Sequence, residues 1–216
     1  ILDRAKTAVN MTLNQYNFDL EGLDRIMNGL RETKLPEEMA LLRKAIEVSA
    51  VGQLEVMKAM HPGMSETEVQ GVHEYVYKKY GAEYEGYPSI VGGGNNGCIL
   101  HYIENNKACK DGDVILMDFG AEYANYASDM TRCVPVNGKF TERQKEVYNA
   151  VLRVMKEATK MLVPGNYLNE YHIKVGKLME KELLCLGLLT QEEISQQTAE
   201  KPAYKKYFMH GTSHYL

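Results

Sequence analysis

Two aspartates, eleven positions apart, are the residues of this chain whose type and spacing best suit chemistry. Asp118 follows a run of strand-forming residues at 114–117, and Asp129 lies in the polar segment 128–132. A carboxylate in a buried strand carries a large desolvation cost, since even neutral polar groups cost roughly 2 to 7 kcal/mol. A metal ion is the obvious compensating partner, so the pair predicts a metal site.

The segment between the aspartates has the pattern of two strand ends around a polar turn, near residues 123–125. If the chain folds back symmetrically there, Asp118 and Asp129 become cross-strand neighbours, with Cβ atoms roughly 4.5 to 5.5 Å apart on one face. That spacing suits two carboxylates that share a two-metal centre, whose ions lie about 3.5 to 4 Å apart.

Histidines offer possible nitrogen ligands. His210 and His214 lie four residues apart, and Gly211 favours a turn that enters a strand over a helix. Histidines in such places are more often structural, yet imidazole together with two carboxylates suits divalent ions of borderline softness. His101 lies in a predicted strand at 98–102, where a structural and a catalytic role are equally well supported. The remaining histidines are interpreted as solvated helix residues: His61, His73 and His172.

Two short motifs match nucleotide sites but have the wrong surroundings. Residues 92–97 satisfy G-x-G-x-x-G, and residues 118–120 match the magnesium motif of kinases. A dinucleotide fingerprint needs a helix directly after the glycines, whereas a strand is predicted at 98–102. The twenty residues between the motifs cannot hold a kinase lysine strand and catalytic loop. We therefore interpret the glycines as a loop in which the backbone passes close to other groups.

The composition excludes several classes of partner. The 216 residues are 44% apolar, which is enough for a core, and the net charge of -4 with no basic block argues against nucleic acid or an anionic membrane surface. No apolar run approaches the roughly 18 residues of a membrane span. The cysteines contain no C-x-x-C pair, which indicates reduced thiols and a cytoplasmic protein. They are Cys98, Cys109, Cys133 and Cys185.

Local signals predict an α+β domain that positions these residues. Helix caps and breakers predict helices at about 36–60, 66–80, 142–161 and 168–186. Short β-type runs with short loops between them predict an antiparallel sheet from 89–91, 98–102, 114–119 and 130–136. Residues 20–30 also have helical spacing, and the C-terminal residues have the pattern of an unfinished strand.

Five segments, in order along the chain, resemble aminopeptidase P, the Xaa-Pro branch of the pita-bread metallopeptidases, which also contains prolidase. They are residues 90–102, 111–120, 126–132, 135–141 and 210–216. The resemblance implies an α+β pita-bread fold, with an antiparallel sheet flanked by helices and incomplete at the C-terminus. It also implies that residues 1–35 connect to a missing N-terminal domain and that 36–216 are part of the catalytic domain.

Carried over residue by residue, the resemblance implies a dinuclear site. The implied metal ligands are Asp118, Asp129 and His214. The two divalent ions would most often be manganese, with cobalt or zinc as alternatives. His101 and His210 would be catalytic residues that also hold the substrate, and Tyr87 would bind substrate near the metals. The family's two remaining ligands are glutamates on later strands, which this sequence does not include.

The activity implied by the resemblance is hydrolysis of the bond between an N-terminal residue and a following proline, by a protein that is homo-oligomeric at full length. Two alternatives stay open: prolidase, which is restricted to dipeptides, and a pita-bread binding module without catalysis. With three of five ligands, the chain as given is expected to hold metal weakly and to have little turnover.

Overall fold

This structure is a computed structural model, and it describes residues 19–215. These residues form two compact units: those up to Met39 together with Tyr215, and residues 40–214. The helices are α1 (Leu20–Glu32), α2 (Pro36–Ala59), α3 (Glu66–Lys79), α4 (Glu142–Lys160), α5 (Leu168–Cys185) and α6 (Gln191–Ser195), with short 3-10 helices at Gly94–Cys98 and Ala203–Lys206. The strands are β1 (Tyr84–Glu85), β2 (Ile90–Gly93), β3 (Val114–Phe119), β4 (Ala121–Tyr123), β5 (Tyr126–Ala127) and β6 (Met130–Pro135).

The helix starts follow from capping signals. Ser65 Oγ accepts the Glu68 N–H at 3.1 Å, and the Glu68 carboxylate accepts the Ser65 N–H at 2.7 Å, which satisfies two backbone donors at the start of α3. The predictions for α1 to α5 are confirmed within a few residues. Helix α6 is not among the predicted helices, although Thr190 and Glu193 form the same reciprocal cap. Along residues 19–215, none of the helices has the length and apolar content of a membrane span.

The strands form two three-stranded antiparallel sheets, ordered β2-β3-β6 and β1-β4-β5. In the first sheet, Asp118 on the central strand lies opposite Ile90 on one side and Thr131 on the other. The β3–β6 and β4–β5 pairs share one register, so residues 114–135 form a long ribbon folded back on itself. Ala124 and Asn125 form its two-residue turn, with φ of 51° and 69° as a type I′ turn requires. The predicted turn is therefore confirmed.

The core faces explain where the aspartate of β3 points. Ile115, Met117 and Phe119 are fully buried, and Asp118 alternates with them onto the opposite, half-exposed face. Strand periodicity thus turns Asp118 away from the core, although partial burial still raises the pKa of its carboxyl group. The sheet core consists of Val56, Met64, Val69, Val91, Cys109, Ile115, Met117, Phe119 and Val136. A second core joins the C-terminal helices through Val154, Ala158, Tyr171, Val175, Met179, Leu183, Leu189 and Tyr204.

The strand predicted at 98–102 is absent. The chain curls into the 3-10 helix at 94–98 and then a turn, in which His101 has a φ of 53°. The physical cause is Glu66, because its carboxylate accepts the Gly93 N–H at 2.9 Å and the Asn96 side-chain amide at 2.8 Å and so bends the loop toward α3. The predicted C-terminal strand is also absent at residues 211–215, and Leu216 lies outside the described residues.

His73 is fully buried, so its interpretation as a solvated helix residue is wrong. It lies on the face of α3 that packs on the sheet, where its ring stacks on Phe119 with centroids 3.8 Å apart and meets the Tyr77 ring edge-on at 4.5 Å. Burial lowers the pKa of His73 to about 3, so the imidazole stays neutral.

Candidate metal centre

One hydroxyl group brings the two aspartates together. Tyr87 Oη lies 2.5 Å from Asp118 Oδ1 and 3.1 Å from Asp129 Oδ1. A phenol has a single proton to donate, so both carboxylates compete for one donor. The two carboxylates therefore face the same space on one side of the ribbon, as the sequence predicted.

Their register differs from the predicted one. Asp118 lies opposite Thr131, and the last β3–β6 pair joins Phe119 to Met130, so Asp129 is displaced by two residues from the position facing Asp118. The turn at 124–125 lies slightly later than direct pairing of the aspartates requires. The aspartates are therefore diagonal neighbours on one face, a relation that still lets side chains meet.

The imidazole of His214 reaches this pair from far along the chain. Its Nε2 lies 3.1 Å from Asp129 Oδ2, on the carboxylate oxygen that Tyr87 does not contact. The segment that carries His214 is attached to α5, because His172 Nδ1 accepts the Thr212 N–H at 3.3 Å. The interpretation of His172 as a solvated helix residue does not include this contact, which joins residues forty positions apart.

The other two histidines lie elsewhere. His101 is exposed in the turn after the first 3-10 helix, and His210 contacts the Gly211 carbonyl at 2.6 Å and the Phe208 ring edge-on. Within residues 19–215, no hydrogen bond joins either histidine to Asp118. The structure thus groups four of the six predicted residues, Tyr87, Asp118, Asp129 and His214, and leaves His101 and His210 outside this group.

The electrostatics of the pair favour a cation. Burial and the neighbouring Asp129 carboxylate raise the pKa of Asp118, against the opposing effect of hydrogen bonds from Tyr87 and Thr131. Burial and the two carboxylates also raise the pKa of Tyr87, so its hydroxyl stays protonated and remains a donor. The hydrogen bonds from Tyr87 and Thr131 do not outweigh burial and the second carboxylate at Asp118, so a positive ion next to the pair would be favourable.

A glycine makes this arrangement possible. A Cβ atom on Gly120 would lie 2.0 Å from the Ser128 carbonyl oxygen and 2.5 Å from the Tyr87 ring, so no other residue fits there without moving both. The Gly120 carbonyl also accepts the Gly86 N–H at 2.7 Å, which fixes the chain next to Tyr87. The glycine of the kinase-like tripeptide is therefore a packing residue.

The donor chemistry fits a divalent ion. Two carboxylates and an imidazole suit borderline ions such as manganese, cobalt or zinc. Among residues 19–215, however, no group of three or more His, Cys, Asp or Glu side chains is arranged so that it could hold a metal ion. The structure therefore brings a carboxylate pair and an adjacent imidazole together without arranging them as a complete metal site.

Comparison with known protein families gives one match over most of the chain. Residues 40–216 match the model of Metallopeptidase family M24. The Xaa-Pro aminopeptidase of Escherichia coli is 41% identical over 193 residues, which cover 88% of this chain and 43% of that protein. The Xaa-Pro aminopeptidase of Haemophilus influenzae is 37% identical over 191 residues, which cover 88% of this chain and 44% of that protein. The chain thus spans less than half the length of these curated relatives.

Solved structures give the same result. Zinc-substituted Escherichia coli aminopeptidase P in complex with product matches with a TM-score of 0.80 at 41% identity, over 86% of this chain and 42% of that chain. The match therefore extends over most of this chain at an identity well above the level at which only a general fold is shared.

Proposed function

The chain belongs to Metallopeptidase family M24 and has the α+β pita-bread fold of aminopeptidase P, and from this premise we propose that the full-length protein hydrolyses the peptide bond between an N-terminal residue and a following proline. The observation that carries the proposal is the meeting of Asp118 and Asp129 at the Tyr87 hydroxyl, with His214 on the far oxygen of Asp129. The relatives with the same fold are named as Xaa-Pro aminopeptidases.

The proposed ligands in this segment are Asp118, Asp129 and His214, which would hold two divalent ions together with groups from the rest of the protein. We propose manganese as the usual ion, with cobalt or zinc as substitutes, because these ions accept both carboxylate and imidazole ligands. Such ions lower the pKa of a bound water and polarise the scissile carbonyl.

The remaining proposed roles belong to side chains that would bind the substrate. The Tyr87 hydroxyl lies within hydrogen-bond distance of both aspartates and would fix their orientation next to the scissile bond. His101 and His210 would hold the peptide and stabilise the tetrahedral intermediate. The prolyl nitrogen carries no hydrogen and its ring fixes φ, so the site must recognise the shape of a tertiary amide.

The decisive experiment replaces one proposed ligand in the full-length protein. Asp129→Asn removes one charge while keeping the size of the side chain, and we expect peptidase activity to be abolished while the fold stays largely intact. The measurement is release of the first residue from a tripeptide with proline second, together with metal content. Asp111→Asn is the matched control, because Asp111 is exposed and bonds only to Asn137 in the described contacts. Wild-type activity in Asp129→Asn would remove Asp129 from the ligands.

Two further measurements separate the alternatives. An enzyme that cleaves Xaa-Pro dipeptides and does not cleave longer peptides is a prolidase. Cleavage of the tripeptide supports an aminopeptidase. Full-length protein that holds no divalent ion and cleaves neither peptide would be a binding module.

The proposal also covers the domain organisation, the compartment, the assembly and the partners of the full-length protein. Residues 1–35 would connect to another domain and residues 36–216 would be part of the catalytic domain, in keeping with a family match that begins at residue 40. We propose a cytoplasmic homo-oligomer, with four free cysteines supporting a reducing compartment. Peptides with proline second would be its partners, without nucleic acid or membrane.

A further inference from the structure

Asp129 lies in a gap of the ribbon. The last pair of the β3–β6 ladder joins Phe119 to Met130, and pairing resumes only where the Ser128 N–H donates to the Ala121 carbonyl at 3.0 Å. Asp129 lies between these two points, so its distance from Asp118 is not set by the ladder alone. Other contacts must hold it.

Those contacts come from helix α2. Residues 45, 49 and 53 are spaced by four and lie on one face of the helix. Ser128 Oγ, directly before Asp129, lies 2.8 Å from Ser49 Oγ and 3.2 Å from the Ala45 carbonyl oxygen. The residue on the N-terminal side of Asp129 is thus tied to α2.

One turn further along α2, Gln53 contacts both strands. Its Nε2 donates to the Met117 carbonyl at 3.3 Å and to the Met130 carbonyl at 3.1 Å. Met117 directly precedes Asp118, and Met130 directly follows Asp129. A side-chain amide has two protons, one for each carbonyl, and carbonyls accept only, so this orientation of the amide is fixed.

Packing alone does not explain a glutamine at this position. Gln53 is buried at 3% exposure, and its Oε1 atom has no hydrogen-bond partner within residues 19–215. A buried acceptor without a partner costs free energy that an apolar side chain of the same size would avoid. The specific gain from Gln53 is the link between the two strand carbonyls.

We propose that Gln53 is a positioning residue that sets the separation of the Asp118 and Asp129 carboxylates and hence of the two ions they would hold. By joining Met117 to Met130, it fixes the backbone next to each carboxylate, and Ser49 fixes the other side of Asp129. The inference rests on the proposed metal site. Precise spacing matters because catalytic groups must hold their geometry to within about 0.5 Å.

The test is Gln53→Met in the full-length protein, which keeps size and burial but removes both donors. We expect Mn²⁺ affinity by titration calorimetry to fall about tenfold, and kcat to fall about tenfold with a smaller change in KM, as for other residues that orient ligands. Val56→Ala is the matched control, because Val56 is fully buried on the same helix and packs in the sheet core. It should lower Tm and leave Mn²⁺ affinity unchanged.

Several outcomes decide the matter. Wild-type Mn²⁺ affinity in Gln53→Met, or a loss no larger than that of Val56→Ala, would overturn the inference while leaving the proposed function intact. If Gln53→Met does not fold, Gln53→Asn, whose amide is one methylene too short, should give the same loss. If the wild type neither binds Mn²⁺ nor cleaves peptide, the proposed function fails. Crystal structures then decide: an Asp118 to Asp129 separation unchanged in Gln53→Met would overturn the inference, and a shift above about 0.5 Å would support it.

Discussion

Two carboxylate sites of the described residues differ in the direction of their pKa shift: the pKa of Glu66 is lowered and that of Asp118 is raised. Glu66 is fully buried at the start of α3, and its two oxygens accept hydrogen bonds from Gly93 N, Asn96 Nδ2, Tyr102 Oη and Lys107 N at 2.8 to 3.0 Å. Burial raises the pKa of Glu66, but these four donors outweigh it and leave the pKa below its ordinary value. Asp118 is more exposed, yet its pKa is raised.

The difference shows that burial alone does not identify a functional carboxylate. Glu66 has enough donors to be stable as an anion, so it needs no cation and serves to hold the loop at 93–107 against α3. Asp118 is partly buried next to a like-charged carboxylate, with which it shares the Tyr87 hydroxyl, and one further hydrogen bond from Thr131 does not offset these effects. A carboxylate held near a like charge, with few donors, is the kind that binds a metal ion.

Among the variants of these two sites, Glu66→Gln is expected to change the free energy of unfolding most. The amide replaces an acceptor by a donor that faces other donors, so we expect the free energy of unfolding to fall by about 3 kcal/mol at pH 7. Measurement is by urea unfolding. The folded pKa of Glu66 is lowered, so its stabilisation is present above about 4.5 and is lost as pH falls through the folded value. The deficit of Glu66→Gln should therefore shrink below pH 4.5, and a pH-independent deficit would contradict this origin.

A smaller loss of stability is expected when either of two tyrosines, one at each carboxylate site, is replaced by phenylalanine. Tyr102→Phe removes the donor to Glu66, and Tyr87→Phe removes the donor to Asp118 and Asp129. Each should lower the free energy of unfolding by about 1 to 2 kcal/mol. Peptidase assays of the full-length protein should separate them, because only Tyr87→Phe is expected to reduce kcat/KM, by about tenfold or more, if the proposed function is right. Equal losses of activity would remove the distinction between the two sites.

The sequence predicts best where local signals act alone. The bounds of β3 and the start of α3 follow from β-propensity and a reciprocal cap, and both are confirmed. The convergence of the aspartates also follows, because a turn and strand periodicity place them on one face. The structure of residues 94–102 does not follow, since a carboxylate some thirty residues upstream draws the loop toward it.

Local sequence patterns also do not predict which helix residues are buried or which distant segments contact each other. His73 has the sequence context of a surface residue, but it packs on Phe119 because the sheet covers that face of α3. The attachment of the His214 segment to α5 through His172 depends on residues forty positions apart. From the sequence, Gln53 is an ordinary polar helix residue, and its role depends on contacts with the backbone carbonyls of β3 and β6.

The smallest change in the free energy of unfolding, and the one increase among these variants, is expected for Asp118→Asn. Two unit charges about 4 Å apart repel by roughly 1 to 4 kcal/mol at dielectric constants of 80 to 20. Asparagine keeps an oxygen that accepts from Tyr87, and the substitution removes the cost of burying a charge and the repulsion from Asp129. Both effects on Asp118 are larger than that of the Thr131 hydrogen bond, which the substitution also weakens. We expect the free energy of unfolding of metal-free protein to rise by about 1 kcal/mol at pH 7, while peptidase activity is lost.

The pH dependence of this gain tests its origin. The folded pKa of Asp118 is raised above 3.8, so the folded state binds a proton before the unfolded state as pH falls. The cost of the charge is therefore complete above the folded pKa and vanishes as pH falls toward 3.8, and the advantage of Asp118→Asn should vanish with it. Added Mn²⁺ should reverse the order of stability at pH 7, because only the wild type keeps both carboxylates for the ion. A variant less stable than wild type without metal would mean that Asp118 is satisfied in the same way as Glu66, and the contrast between the two sites would not hold.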